Sequence, residues 1–311
     1  MIERHPVTDR DSWLALRRQD VTASSVAALV GAHDYITPYE LFALKTGLLF
    51  EDAETSPAME RGRLLEPVAV QILRERHPDW TITHNDGEAR VYLRDPTIRL
   101  GATVDVFATD AGGAPIIAQI KSVEASVFRQ KWKQDGEAIP PLGIAVQTIA
   151  EAHLAGAARA IVTPLVVGFG LEMPEIEVPI HPGVIERIRA EVEAFWRRVA
   201  DNEPPPPDFA KDGEIIAKLY PDDDGEIIDL MGDNRIVDLI DDMEATKATE
   251  KEAADHFKEI RAEILSKLGE AAGARTRRGL LTARTIHRKE FTVAASSYRR
   301  IALKQDREQA P

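Results

Sequence analysis

The sequence predicts an α/β protein: a small mixed sheet flanked by helices over about the first two hundred residues, then a helical and β appendage. Three observations carry this. Helix-type apolar spacing up to His77 gives way to short β-branched runs between Trp80 and Ile120, and returns at Leu142 to Gly156. A proline run, Glu203-Pro-Pro-Pro-Pro-Asp208, then interrupts the chain. Beyond it, Asp233 to Glu270 is rich in helix formers.

Ser12 to Val30 reads as helix, with a second one starting at the Ser24-Ser25 pair, whose hydroxyls can cap exposed backbone N–H groups, and ending at Gly31. Pro38 to Thr46 reads as a short helix. Pro57 to His77 reads as a longer one, with Leu64, Leu65, Val68, Val70, Ile72 and Leu73 on a broad apolar face and Pro78 as its stop. Trp80 to Thr83, Ala89 to Leu93, Ile98 to Phe107 and Ile116 to Ile120 read as strands, separated by turn signals such as Asn85-Asp86-Gly87 and Gly112-Gly113. After the helix Leu142 to Gly156, Ala160 to Phe169 is an apolar strand with Glu172 to Pro179 as its partner, and Val184 to Asn202 is helix. The expected domains are 1–202, a Pro-rich acidic linker at 203–232, and a C-terminal region at 233–311. In that last region Asp233 to Glu270 gives one or two long amphipathic helices and Gly279 to Ile301 gives short basic strands.

Zero cysteines exclude disulfide frameworks, thiolate zinc sites and catalytic thiols. No apolar run approaches the ~20 residues that span a bilayer, and MIERHPVTDRDSW has no apolar stretch of signal-peptide kind. The expectation is a soluble cytoplasmic protein without a membrane partner, in a bacterial or phage-infected host. The net charge of −13 does not announce a nucleic-acid binder. Its distribution is uneven: Glu203 to Glu244 holds 14 acidic and 3 basic residues, whereas Gly273 to Pro311 holds 10 basic and 3 acidic. Two separate surfaces, or two merely solvated faces, both fit this pattern.

The chemistry-bearing residues begin with Asp105, in the run Leu100 to Phe107. Fourteen positions later, Gln119-Ile120-Lys121 ends an apolar strand, and period 2 puts Gln119 and Lys121 on one face. A carboxylate and a lysine on adjacent strands can hold a hard divalent cation beside a phosphate, with the ammonium placing the attacking water. Glu66, on the long helix, can point a second carboxylate at the strand pair, and Gln147 lies on the following helix. Upstream, Arg17, Arg18, Thr22 and Ser24 offer a guanidinium and hydroxyls beside a helix N-terminus, an arrangement that receives phosphate. Each residue also has a structural reading: Glu66 facing solvent, Gln147 a satisfied core amide, Arg17 a surface arginine with Arg18 facing inward. Glu124 reads as a surface residue or a weak support to the site. The histidines form no metal-binding spacing and read as structural or exposed.

In order and spacing these residues resemble the YqaJ-like viral recombinase family, relatives of lambda exonuclease within the PD-(D/E)xK nuclease superfamily, across roughly residues 10 to 200. The resemblance implies a PD-(D/E)xK restriction-endonuclease-like core. It implies Glu66 and Asp105 as metal ligands with Gln119 and the Ile120 carbonyl, Lys121 as the catalytic lysine, Gln119 and Gln147 beside it, and Arg17 with Ser24 as the pocket for a 5′-terminal phosphate. It further implies Mg²⁺ or Mn²⁺ as cofactor and 5′→3′ hydrolysis at double-stranded DNA ends. The expected partners are further copies in a ring, with a trimer as the candidate size, and a single-strand annealing protein. A ring reconciles negative charge with DNA binding, since only its channel wall must be basic.

Two departures stand out. Where the family usually has Pro-Asp-Gly, this chain has Val104-Asp105-Val106. The acidic member of the (D/E)xK element is Gln119, whose amide offers an oxygen but withdraws a charge from a metal. Three accounts stay open: a working variant, a non-catalytic DNA-end-binding or assembly protein that kept the fold, or a Glu→Gln substitution that traps substrate. A further reading places the chain's business in the C-terminal helices and basic strands.

Overall fold

The computed structural model describes residues 1–50, 56–287, 289 and 298–303. The chain divides into two compact units, Met1–Leu219 and Tyr220–Pro311.

The first unit opens with β1 (Glu3–Pro6), which no sequence signal announces, and α1 (Arg10–Gln19), capped by Asp9, which accepts from the Ser12 amide at 2.7 Å. The helix expected from Ser12 to Val30 breaks at Asp20. That carboxylate is fully buried against the Arg94 guanidinium at 2.9 Å and the Tyr92 hydroxyl at 3.2 Å. A buried carboxylate must stay with its donors, so the chain turns extended through β2 (Val21–Thr22) before α2 (Ala23–Leu29). Thr22, and not the Ser24-Ser25 pair, is the cap residue of α2; the Ser25 hydroxyl answers by accepting from the Thr22 amide at 3.1 Å.

Two expected helices come next, nearly as read: α3 (Pro38–Thr46), capped by Thr37, and α4 (Pro57–Arg76), capped by Ser56. Both start on proline, whose missing N–H costs nothing at a helix's first position. On α4 only Ala69, Val70 and Leu73 are buried, so the apolar face is narrower than expected, with Leu64 and Val68 exposed. The chain continues with β3 (Thr81–His84), β4 (Val91–Asp95), β5 (Leu100–Ala102), β6 (Val106–Thr109) and β7 (Pro115–Glu124). The single strand expected over Ile98 to Phe107 is thus two, broken at Thr103-Val104-Asp105. The remaining elements of this unit are α5 (Ala125–Lys131), β8 (Lys133–Gln134), β9 (Glu137–Ala138), α6 (Leu142–Ala155), β10 (Arg159–Val167), β11 (Leu171–Glu172), β12 (Ile176–Glu177), α7 (Pro182–Asp201) and α8 (Gly213–Leu219). The partner strand expected at Glu172 to Pro179 is reduced to the two short antiparallel pairings of β11 and β12 with β10.

Among the described residues a six-stranded sheet runs β11-β10-β7-β6-β3, with β12 also on β10, and a four-stranded sheet runs β1-β4-β5-β2. The β7–β10 pair is parallel, with Gln119 opposite Val162 and Lys121 opposite Pro164, and β6 runs antiparallel to β7. Alternation along β7 sends Ile116, Ala118 and Ile120 into the cluster with Ala69, Val70 and Leu73 of α4. Ile117 and Val123 join the opposite cluster, with α2, α6 and α7. A sheet buried on both faces by helices gives this α/β unit its rigid platform. Gly143 lets α6 approach the α2 end closely, since a Cβ there would sit 2.4 Å from the Ala32 carbonyl oxygen. At the far side Arg99, at φ 56°, accepts on its carbonyl from the Val21 amide and the Trp196 indole while its guanidinium lies 3.4 Å from the Trp196 ring centroid.

The first part of the expected linker, 203–219, belongs to this unit. Asp212 is fully buried and its carboxylate accepts from the Thr37 hydroxyl at 2.5 Å and from the Asp208 amide at 2.7 Å. The proline run stiffens the approach, and one buried carboxylate then anchors the segment to the body of the unit.

The second unit contains α9 (Asn234–Leu268), one continuous helix where one or two were expected, and the hairpin of β13 (Gly273–Thr276) with β14 (Gly279–Thr282). Residues 283–287 are not strand. Most of the remaining stretch expected as basic strands, at 288 and 290–297, lies outside the described residues.

Candidate active site

Asp105 owes its position to Asn85. The buried Asn85 side chain donates to the carbonyls of Val104 at 2.7 Å and Val91 at 3.0 Å and accepts from the Val91 amide at 2.7 Å, while its own amide donates to the Asp105 carbonyl at 2.9 Å. One side chain thus satisfies a loop whose backbone cannot pair in the sheet. The loop presents the Asp105 carboxylate to β7, where it accepts from the Ile120 amide at 2.8 Å and from the Gln119 side-chain amide.

Gln119 is buried, and α6 completes its hydrogen bonding. The Gln147 side-chain amide donates to the Gln119 Oε1 at 3.1 Å and to the Glu151 Oε1 at 2.7 Å, and the Lys121 ammonium donates to the Gln147 Oε1 at 3.2 Å. The pleat of β7 therefore turns Gln119 and Lys121 to the α6 side. From α4, Glu66 reaches the site with its Oε1 2.7 Å from the His84 Nε2. Pro67 comes directly after it inside the helix and cannot donate to the Arg63 carbonyl.

A cavity of about 220 Å³ collects these groups: Glu66, Asp105, Gln147 and Glu151 line it together with Arg17 and Ser24 from the N-terminal helices. Arg17 is the arginine that faces it, half-buried, whereas Arg18 is exposed. The Ser24 hydroxyl lies 2.9 Å from that of Thr22. Because α2 has only seven residues, the side chains and not a helix end supply this wall. Lys121 lines an adjoining groove of about 550 Å³, shared with Ser24 and Gln147. Glu124 receives Arg61 at 3.0 Å and otherwise stands exposed.

Burial pushes the Asp105 carboxyl above the ordinary carboxylate range; Lys121 opposes this and Glu66 reinforces it. Glu151 is pushed up by burial and further by Asp105. The donors are all oxygen, which suits a hard cation such as Mg²⁺ that keeps several waters. They are spread around the cavity: among the described residues no three of His, Cys, Asp or Glu form a ready metal cluster. The fit rests on the carboxylates of Glu66 and Asp105 and on a buried Glu151 Oε2 that has no hydrogen-bond partner among the described residues.

Sequence reasoning missed four contributors. Asn85 read as a turn residue, His84 as structural or exposed, and Trp13 and Glu151 were not singled out. Glu151 carried a signal: a carboxylate four residues after Gln147, and so on the same face of the expected helix.

Residues 12–158 match the family model described as the YqaJ-like viral recombinase domain. Among solved structures, an alkaline exonuclease from Laribacter hongkongensis is 22% identical, with 68% of this chain matched to 100% of that one at a TM-score of 0.49. The same exonuclease in complex with dAMP is 21% identical, with 68% of this chain matched to 100% of that one at a TM-score of 0.50. No curated protein matches the chain. Over residues 12 to 158, a little under half of its length, the chain is thus similar to the YqaJ-like viral recombinase domain.

Proposed function

We propose that the chain is a metal-dependent exonuclease that hydrolyses phosphodiesters from the 5′ ends of double-stranded DNA, in recombination of the phage type. The observation that carries this reading is the shared cavity: Arg17 and Ser24 line the same space as Glu66, Asp105 and Gln147. A guanidinium and a hydroxyl take a terminal phosphate, and a carboxylate centre next to them faces the adjacent phosphodiester.

Each group then has a task. Arg17 and Ser24 receive the 5′-phosphate. Glu66, Asp105 and the Ile120 carbonyl would hold Mg²⁺ or Mn²⁺, which would supply charge neutralisation at the scissile phosphate and a more acidic water. Lys121, oriented by Gln147, places its ammonium beside that phosphate and the attacking water. Gln119 fixes Asp105 by donating to it. The wider assembly in this reading is a ring of copies, a trimer by preference, threaded by the duplex in the cytoplasm of a bacterial or phage-infected cell, with a single-strand annealing protein taking the product strand.

Incubation with linear and covalently closed duplex in Mg²⁺ tests the reading. Loss of the linear DNA alone is expected, and cleavage of both forms equally overturns the exonuclease assignment. A second reading, a DNA-end-binding protein without turnover, is favoured by the amide at 119; it predicts end binding with no nucleotide release at any Mg²⁺ concentration.

A further inference from the structure

We propose that Glu151 of α6 supplies the carboxylate that position 119 lacks and is a ligand to the divalent cation. The inference rests on the nuclease reading above and adds a residue to it. Glu151 is 1% exposed, lines the cavity with Asp105 and Glu66, and carries its Oε2 without a hydrogen-bond partner among the described residues. Buried carboxylate oxygens are otherwise held by donors, so an unpartnered one on a residue that lines a polar cavity points to a ligand. Its place in the network is specific. The Gln147 Nε2 donates to Gln119 Oε1 and to Glu151 Oε1, so the oxygens of the neutral residue and of the acidic one both lie within 3.1 Å of a single nitrogen.

The charge count supports the exchange. Glu66, Asp105 and Glu151 give three carboxylates around the site, against Arg17 and Arg90 of the same cavity and Lys121 of the adjoining groove. A carboxylate also at 119 would be a fourth, placed against Asp105 where the Gln119 amide now donates. A carboxylate on the helix and an amide on the strand keep the charge a hard cation needs and remove that repulsion. On this account the amide at 119 marks a rearranged site and not a decayed one.

Crystals of the full chain soaked in Mn²⁺ give the first test, by anomalous scattering. A peak at Asp105 with a Glu151 oxygen in its shell, directly or through one water, is expected. A peak at Asp105 with Glu151 turned away overturns the inference and leaves the nuclease reading intact, whereas no peak at Asp105 overturns that reading itself. Calorimetric titration with Mn²⁺ gives the second. Glu151→Gln should weaken binding about tenfold or more, and adding Gln119→Glu to it should restore the affinity. Unchanged binding by Glu151→Gln contradicts the assignment.

Discussion

The Arg17 guanidinium sits 4.5 Å from the ring centroid of Trp13, one helical turn away, and the Trp13 indole is itself held by the Thr103 hydroxyl at 2.9 Å. An aromatic face thus aims the cation, whose buried Nε has no hydrogen-bond partner among the described residues. Arg17→Ala should erase the preference for 5′-phosphate over 5′-hydroxyl duplex ends, a loss of about 1.5–3 kcal/mol for a charge-assisted contact. Trp13→Leu should erode it by about 0.5–1 kcal/mol. Binding of both duplexes at one salt concentration decides; an effect of Arg18→Ala in place of Arg17→Ala contradicts the assignment.

Lys121→Ala should lower cleavage about 10²–10⁴-fold, the range of a lost proton-handling group, with Mn²⁺ affinity unchanged, because the ammonium bonds Gln147 and is not a metal donor. Single-turnover cleavage beside a Mn²⁺ titration reads both quantities. Cleavage equal to the parent's shows that the lysine has no part in the chemistry.

Legibility in the sequence ended where local chemistry stopped deciding. Pro38 to Thr46 and Leu142 to Ala155 were readable because a proline or proline-flanked start, an apolar spacing and a closing glycine, Gly47 or Gly156, all lie within the segment. The break at Asp20 was not readable, since its cause is Arg94, seventy-four residues away. The same holds for Thr103 to Asp105, which read as strand: only Asn85, from another loop, draws that backbone out of the ladder. In the site, Asp105, Gln119, Lys121 and Gln147 were visible through order and spacing. Glu151 was not, because its burial beside Gln119 is a product of how α6 crosses β7.

Asn85→Ala should remove three side-chain hydrogen bonds and destabilise the protein by about 2–4 kcal/mol, leaving buried backbone groups of the Asp105 loop unpaired. Chemical denaturation measures the loss. Metal affinity should fall with it, and a variant as stable as the parent contradicts the role given to this side chain.

Stability of the metal-free protein should decline as pH rises through neutrality. Burial raises Asp105 to about 6 and Glu151 to about 8, above their unfolded values of 3.8 and 4.5, so in that window the folded state binds more protons than the unfolded one. The contribution of the pair is complete below the unfolded values and disappears as pH passes the folded ones. Glu151→Gln should flatten the slope and raise the melting temperature in EDTA at about pH 8.5. A melting temperature that climbs from about pH 5.5 to about pH 8.5 in the parent contradicts it.

The most direct measurement is nucleotide release by the unaltered chain, with Gln at 119, from linear duplex labelled at one 5′ end or one 3′ end. With Mg²⁺ the 5′ label should become acid-soluble first, faster from phosphorylated than from hydroxyl ends, and EDTA should stop it. Tight binding of the ends with no release from either label, at any Mg²⁺ or Mn²⁺ concentration, would contradict an active nuclease and leave a DNA-end-binding protein on a nuclease fold.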